Sequence, residues 1–68
     1  MERAAGTVTH FDDRRGIGSV TTEAGQVLAF HCTAVADGTR TIAEGTAVVV
    51  DVAPGLPGRW EATVVTPA

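Results

Sequence analysis

Short runs rich in valine and threonine dominate this chain, and residues that favour turns separate them. β-Branched side chains fit the pleated, half-buried surface of a sheet, and the helical spacing of apolar residues is nearly absent. Glycine and proline recur between the runs, where the chain needs a positive φ or a break in the hydrogen-bonded ladder. The pattern therefore predicts an all-β protein.

The alternation predicts five strands, with a three-stranded meander in the first half of the chain. The predicted strands are residues 7–11, 17–22, 26–32, 46–53 and 59–66. Short turns are expected at 12–16, 23–25, 33–35 and 54–58, and a longer loop at 36–41. The sequence shows no internal repeat or linker, so we expect one domain over residues 1–68 with its core at about 6–66.

The chain is small for a protein with a packed core, and its architecture must compensate for this. Its 68 residues bury only about 60% of the surface that the unfolded chain exposes. Cys32 is the single cysteine, so no disulfide joins two parts of the chain, and no Cys/His pair has the spacing of a structural zinc site. We therefore expect a closed barrel, which has no exposed sheet edge.

Alternation along the strands also predicts which side chains point inwards. The predicted core consists of small and medium apolar residues: Val8, Val20, Leu28, Phe30, Val35, Val48, Val50, Val52, Ala62 and Val64. The opposite face of the meander carries Thr7, Thr9, Ile17, Ser19, Ala29 and His31. A ligand is expected to bind on this outward face.

Charge and apolar patterning limit the classes of partner. All cationic side chains are arginines, and the formal net charge of −3 gives no overall attraction to a polyanion. The N-terminal residues lack the apolar run of a signal peptide, and no segment approaches the roughly 20 apolar residues that cross a bilayer. With a free thiol as well, we expect a cytoplasmic protein without a membrane partner.

Catalytic arrangements are not evident in the sequence. No acid pair, Ser/His/Asp set or Cys/His arrangement stands out, and a barrel of this size has little volume for a pocket that excludes water. We expect a binding protein with no catalytic residue, no cofactor and no metal.

Five motifs follow one another in the order of a known family. They are Gly6-x-Val8-x-x-Phe11-Asp12, then Arg-Gly-Ile-Gly-Ser-Val at 15–20, Leu-Ala-Phe-His-Cys-Thr-Ala-Val at 28–35, Asp-Gly-Thr-Arg-Thr-Ile-Ala-Glu-Gly at 37–45, and Gly55-x-x-Gly58. In this order and spacing the chain resembles the bacterial cold-shock domain from about Gly6 to Val65. The resemblance implies a five-stranded antiparallel OB-fold barrel. It also implies binding of single-stranded RNA or DNA by stacking of bases on outward rings of the first three strands.

The sequence departs from that family at most positions of the stacking face. Non-aromatic residues or histidine stand at six of the family's aromatic positions: His10, Ile17, Ser19, Ala29, Cys32 and Thr39. Phe11 and His31 match the family's pattern. Base–aromatic stacking contributes roughly 1–3 kcal/mol per base, so we expect an affinity weakened by several powers of ten.

The candidate nucleic-acid-binding residues are ring side chains, one apolar strand residue and arginines of the turns. They are His10, Phe11, Arg15, Ile17, His31, Arg40, Arg59 and Trp60. Rings would stack on bases, and guanidinium groups, including that of Arg14 in the same turn as Arg15, would reach phosphates. A histidine would also gain attraction to phosphate when it is protonated.

Each candidate has a structural interpretation beside the functional one. In the structural interpretation, His10 and His31 are exposed strand residues without a binding role, and Phe11 is a packing residue at the barrel edge. The arginines are otherwise solvated turn charges. Trp60 is a stacking platform, an anchor for a protein interface, or a cover for one end of the barrel. For Cys32 we expect a half-buried, inert thiol.

Two functions remain in view from the sequence. The first is single-stranded nucleic-acid binding of weakened affinity. The alternative is a protein-interaction module, in which an apolar outward face with Ile17, Val27 and Ala29 forms a homodimer or binds another protein. Nucleic-acid binding falls steeply with salt, whereas burial of apolar surface does not, so the salt dependence separates the two.

Overall fold

The elements of the barrel follow the predicted order along the chain. A computed structural model describes residues 2–54 and 60–68. Its strands are β1 (Glu2–Asp12), β2 (Ile17–Thr22), β3 (Val27–His31), β4 (Ala47–Pro54) and β5 (Trp60–Pro67), with one 3₁₀ turn at Cys32–Ala34. In the predicted turn at 54–58, Pro54 is the last residue of β4, and the rest of that turn lies outside the described residues.

The strands close into a barrel in the order β1-β2-β3-β5-β4, which confirms the predicted five-stranded barrel. Four of the neighbouring pairs are antiparallel, and β3 runs parallel to β5 with Ala29 opposite Glu61. An odd number of strands cannot alternate in direction all the way round a closed sheet. One parallel contact is therefore unavoidable, and it occurs where the barrel closes.

β1 is longer than predicted, since it begins at Glu2 rather than at Thr7. Its first half pairs with β4, from Glu2 opposite Val52 to Thr7 opposite Ala47. Gly6 permits this path, because a Cβ atom there would lie 2.7 Å from the carbonyl oxygen of Thr21. The alanines before Gly6 have low strand propensity, so only the pairing with a distant strand explains the extension.

The core matches the predicted inward set except at one position of β5. Its buried residues are Val8, Val20, Leu28, Phe30, Val35, Val48, Val50, Val52, Ala62 and Val65. The prediction of Val64 as a core residue was wrong, because Val64 is 37% exposed and Val65 is fully buried. Asp51 pairs with Val64 and Val52 pairs with Ala62, so Thr63 is an extra residue that shifts the alternation.

Gly18 lies directly beneath the ring of a core phenylalanine. A Cβ atom at Gly18 would lie 2.6 Å from Phe30 Cζ and 2.6 Å from the carbonyl oxygen of His10. We expect Gly18→Ala to lower the free energy of unfolding by about 2 kcal/mol, because the ring must move out of its position. Urea unfolding of the variant measures this loss.

Gly25→Ala is the matched control for Gly18→Ala. A Cβ atom at Gly25 meets nothing within 4 Å, so the variant pays only for the positive φ of 85°, about 1 kcal/mol. A loss at Gly18 no larger than the loss at Gly25 would show that the ring does not occupy this space.

No helix in the described part of the chain has the length and apolar character needed to span a membrane.

Candidate nucleic-acid interface

The solvent side of β1, β2 and β3 brings several of the predicted site residues together. We call this surface, formed by His10, Ile17, Ser19, Ala29 and His31, the outer face. Ile17 pairs with His31, and Ser19 pairs with both His10 and Ala29, so the five side chains occupy two adjacent cross-strand rows. Ile17 is 42% exposed. The structure therefore places His10, Ile17 and His31 on one accessible surface.

Phe11 lies on the opposite side of β1 from His10 and points inwards. The pairing of β1 with β2 skips Thr9, so a bulge separates Val8 from His10 and returns the next inward position to Phe11. The Phe11 ring stacks on Phe30, with centroids 5.9 Å apart and planes 11° apart. Phe11 is half-buried against the core. Phe11 therefore lies where a packing residue at the barrel edge is expected, and its contact with a nucleic acid stays a prediction.

His31 is held in place by the 3₁₀ turn that follows it. The backbone N–H of Thr33 donates to His31 Nδ1 at 3.3 Å, and His31 is the N-cap of the turn. A nitrogen that accepts this hydrogen bond carries no proton, so the neutral ring has its N–H at Nε2. The outer face thus contains an imidazole whose free nitrogen is a hydrogen-bond donor.

His10 is oriented towards the loop before β4. Its Nδ1 lies 3.5 Å from Glu44 Oε2, and both side chains are more than half exposed. The same carboxylate oxygen accepts the backbone N–H of Phe11 at 3.2 Å. An exposed pair of this kind contributes little stability, but the carboxylate fixes the loop beside the bulge of β1.

The turn between β1 and β2 presents two arginines to solvent. The backbone N–H groups of Arg14 and Arg15 donate to Asp12 Oδ1 at 3.0 and 3.1 Å. The Asp12 carboxylate therefore stabilises the turn backbone, and both guanidinium groups lie on exposed residues at the end of the outer face. Among the described residues, Arg3 is the arginine that forms an ion pair, with Asp51 on the surface of β1 and β4.

Arg40 belongs to the exposed loop after the 3₁₀ turn. It has a φ of 61°, in the left-handed region that a side chain rarely adopts. The preceding residues are ordered by Asp37, whose carboxylate accepts the N–H and the hydroxyl of Thr39 at 3.0 and 2.8 Å. These hydrogen bonds favour the ionised form and lower the pKa of Asp37. The fourth candidate arginine, Arg59, lies outside the described residues.

A groove opens beside the outer face where β3 meets β5. It has a volume of about 480 Å³, and we call it the β3–β5 groove. Among the described residues, Ala29 of β3 is paired with Glu61 of β5 there. Its walls are mostly apolar and are formed by Ile17, Gly18, Ala29, Phe30, His31, Thr33, Ala34, Glu61, Ala62 and Thr63.

Sequence reasoning missed Glu61 and Thr63 as residues of the site. Both belong to β5, which reaches β3 only because the barrel closes. The parallel contact that brings Glu61 beside Ala29 joins residues far apart in the chain. No local motif marks such a residue, so the signal would have had to come from the strand order itself.

Trp60 and Cys32 lie at the margins of the site. Trp60 is 49% exposed at the start of β5, opposite Pro54, and is not part of the groove wall. Cys32 is half-buried, as expected, and its Sγ lies 3.8 Å from His31 Nδ1. Over residues 2–54 and 60–68, no three His, Cys, Asp or Glu side chains are grouped to hold a metal ion.

Comparisons with known proteins identify relatives of this barrel. No protein-family profile matches the chain. "Glycine-rich protein 2" of Nicotiana sylvestris is 39% identical to it over 67 residues, which is 96% of this chain and 31% of that protein. The solved structure of Drosophila Unr CSD456, a set of cold-shock domains, matches with a TM-score of 0.80 and 26% identity. That match covers 98% of this chain and 27% of the solved chain.

The likeness confirms the predicted OB-fold barrel over nearly the whole chain. The chain spans less than a third of the length of each of these two proteins.

Proposed function

Because the chain has the fold of a cold-shock domain, a nucleic-acid-binding and non-enzymatic kind of fold, we propose that it binds single-stranded RNA or DNA on the outer face. The observation that carries this proposal is the clustering of His10, Ile17 and His31 on one exposed surface of β1–β3. This is the surface on which related barrels stack bases. The proposed activity is binding, without catalysis and without a cofactor.

In this proposal the two imidazoles contact bases and the arginines contact the backbone. His31 stacks on a base or donates from Nε2, and His10 supplies a second ring at the bulge of β1. Arg14 and Arg15 in the turn between β1 and β2, and Arg40 in its exposed loop, pair with phosphates. Trp60, the first residue of β5, and Arg59, which precedes it in the sequence, complete the proposed contact set.

The proposed affinity is low, because aromatic rings are scarce where bases would stack. The rings of Phe11 and Phe30 stack on each other at the core. The outer face therefore offers imidazoles and small side chains in place of the rings that each contribute about 1–3 kcal/mol. A net charge of −3 adds no long-range attraction for the strand.

Residue-level mapping of an oligonucleotide titration tests this function. On adding oligouridine or oligo-dT at low salt, we expect the amide shifts of His10, Ile17 and His31 to move together. Trp60 fluorescence gives an independent binding curve. At an oligonucleotide concentration of about 1 mM, even a binding free energy of only about −4 kcal/mol gives a detectable bound fraction. If the amide shifts of the outer face do not change at that concentration, the proposal is wrong.

Arg15 provides a second test of the same function. We expect Arg15→Gln to weaken binding to every strand by a similar factor and to reduce the slope of log affinity against log salt by about 1. The reason is that one phosphate contact, with its released counterion, is lost. Fluorescence titrations over a range of salt concentrations measure the slope.

Arg3→Gln is the control for this variant, because Arg3 is paired with Asp51 on the surface of β1 and β4. It removes the same charge at a site outside the outer face. Equal changes of slope in both variants would mean that the arginines act only through net charge and would contradict a phosphate contact at Arg15.

The alternative function, an apolar protein interface, is favoured by the exposure of Val27 and Ile17, which are 66% and 42% exposed. Sedimentation of the free protein and the salt dependence of binding separate it from the first proposal. A self-association that is insensitive to salt, together with a silent outer face in the titration, would favour the alternative.

A further inference from the structure

We propose that the β3–β5 groove is a subsite for one unpaired guanine, and that Glu61 determines its specificity. This inference rests on the nucleic-acid binding proposed above and assigns the base that the groove selects. It concerns a residue of β5, outside the strands of the outer face.

The groove has the size and the wall chemistry of a base subsite. Its volume of about 480 Å³ lies within the range of small-ligand pockets. Ala29 and Ala34 contribute small apolar side chains to its wall, and Ile17 contributes a larger one. A flat heterocycle can lie in the groove over the Ala29–Glu61 pair, because the methyl group of Ala29 is too small to fill it.

The polar groups of the groove are complementary to guanine. The Glu61 carboxylate belongs to an exposed residue of the groove wall and only accepts hydrogen bonds when it is ionised. Guanine presents two adjacent donors, its N1–H and its 2-amino group, which suit the two oxygens of one carboxylate. With its Nδ1 accepting the backbone N–H of Thr33, a neutral His31 ring would carry its proton at Nε2 and supply a donor for the guanine O6 acceptor.

The other bases match the carboxylate less well. Uracil and thymine present one N–H between two carbonyl oxygens, which repel the carboxylate on both sides. Adenine and cytosine present one amino group beside an unprotonated ring nitrogen, which also repels it. A carboxylate near a phosphate backbone lowers the affinity for every strand, whatever its sequence. The favourable contribution that we propose for Glu61 is therefore a difference in affinity between guanine and the other bases.

The experiment compares strands that differ in a single chemical group. The ligands are an oligouridine with one central guanosine, the same strand with inosine in place of guanosine, and plain oligouridine. Inosine keeps N1–H and O6 and lacks only the 2-amino group. For the natural chain we expect the guanosine strand to bind about tenfold more tightly than the inosine strand. Amide shifts of Ala29 and Glu61 should move with guanosine and less with inosine.

Glu61→Gln tests whether the carboxylate is the cause. This variant should bind plain oligouridine at least as tightly as the natural chain and should lose the preference for guanosine over inosine. Glu23→Gln is the matched control, because Glu23 is exposed in the turn between β2 and β3 and is not part of the groove wall. It removes the same charge and should keep the preference.

The outcomes separate this inference from the proposed function. If oligouridine binds on the outer face but guanosine and inosine bind equally, the guanine subsite is refuted and the proposed function stands. A guanosine strand that binds no more tightly than plain oligouridine, or a guanosine preference that survives in Glu61→Gln, also overturns the subsite. If no strand binds at all, both proposals fall.

Discussion

Placing phenylalanine at Ile17 and Ser19 is expected to raise the affinity for oligouridine by about a hundredfold. Each ring contributes roughly 1–3 kcal/mol of base stacking, and about 1.4 kcal/mol corresponds to a tenfold change. Both positions lie on the outer face: Ile17 is paired with His31, and Ser19 lies between His10 and Ala29. The new rings would adjoin the imidazoles already there.

The double variant should fold like the natural chain. Ile17 is already 42% exposed, so a ring there displaces no core residue. Ser19 loses a hydroxyl contact with Thr9 of 3.3 Å, between exposed groups. Calorimetric or Trp60 fluorescence titration gives the affinity, and thermal unfolding checks that stability is unchanged.

Val64→Phe is the control for the added aromatic surface. Val64 is 37% exposed on β5, opposite Asp51 of β4, and lies away from the outer face. Its ring should leave the affinity unchanged. If the double variant gains nothing, or if Val64→Phe gains as much, stacking on the outer face does not govern binding and the interpretation of its missing rings is wrong.

The inward residues could be predicted from the sequence because side chains in strands alternate with a fixed period of two. Val48, Val50 and Val52 follow that rule without interruption and are all buried. The rule fails only where a residue is inserted. The bulge at Thr63 moves the inward position from Val64 to Val65. A threonine at this position does not by itself predict a β-bulge, so the shift could not be predicted from the sequence.

A second bulge had a larger consequence for the site. With strict alternation from Val8, His10 would point inwards and Phe11 outwards. The insertion at Thr9 reverses both, so that His10 joins the outer face and Phe11 stacks on Phe30. The sequence motif predicts both residues as part of one binding surface, and the structure places only His10 on the outer face. Only the register with β2 decides which of them faces solvent.

Contacts made by barrel closure were the part that local sequence could not predict. The first residues of β1 are held by β4, and Glu61 of β5 is placed beside Ala29 of β3. In each case the pairing joins segments far apart in the chain, and it depends on the order of strands rather than on any short pattern. Alternation therefore predicted Ile17, Ser19, Ala29 and His31 on the outer face, whereas it predicted neither His10 there nor the groove.

Replacing Leu28 with alanine is expected to destabilise the barrel by about 3–4 kcal/mol, the largest loss of stability that we predict. Leu28 is fully buried and is the largest side chain among those with almost no exposure. The substitution removes buried methyl groups and leaves a cavity, which costs roughly 2–5 kcal/mol for leucine in a core. A chain of 68 residues has in total only about 3–10 kcal/mol at the usual stability per residue.

Val27→Ala is the matched control for Leu28→Ala, because the two residues are adjacent in β3 and point to opposite faces. Val27 is 66% exposed, whereas Leu28 is 0% exposed, so its truncation should change the free energy of unfolding by less than about 0.5 kcal/mol. Urea unfolding followed by Trp60 fluorescence measures both variants.

Nucleic-acid binding by Leu28→Ala should fall with the folded fraction, since the outer face exists only on the closed barrel. Similar losses in the two variants would mean that Val27 and Leu28 do not point to opposite faces of β3, and the positions of Ala29 and His31 on the outer face would then be wrong as well.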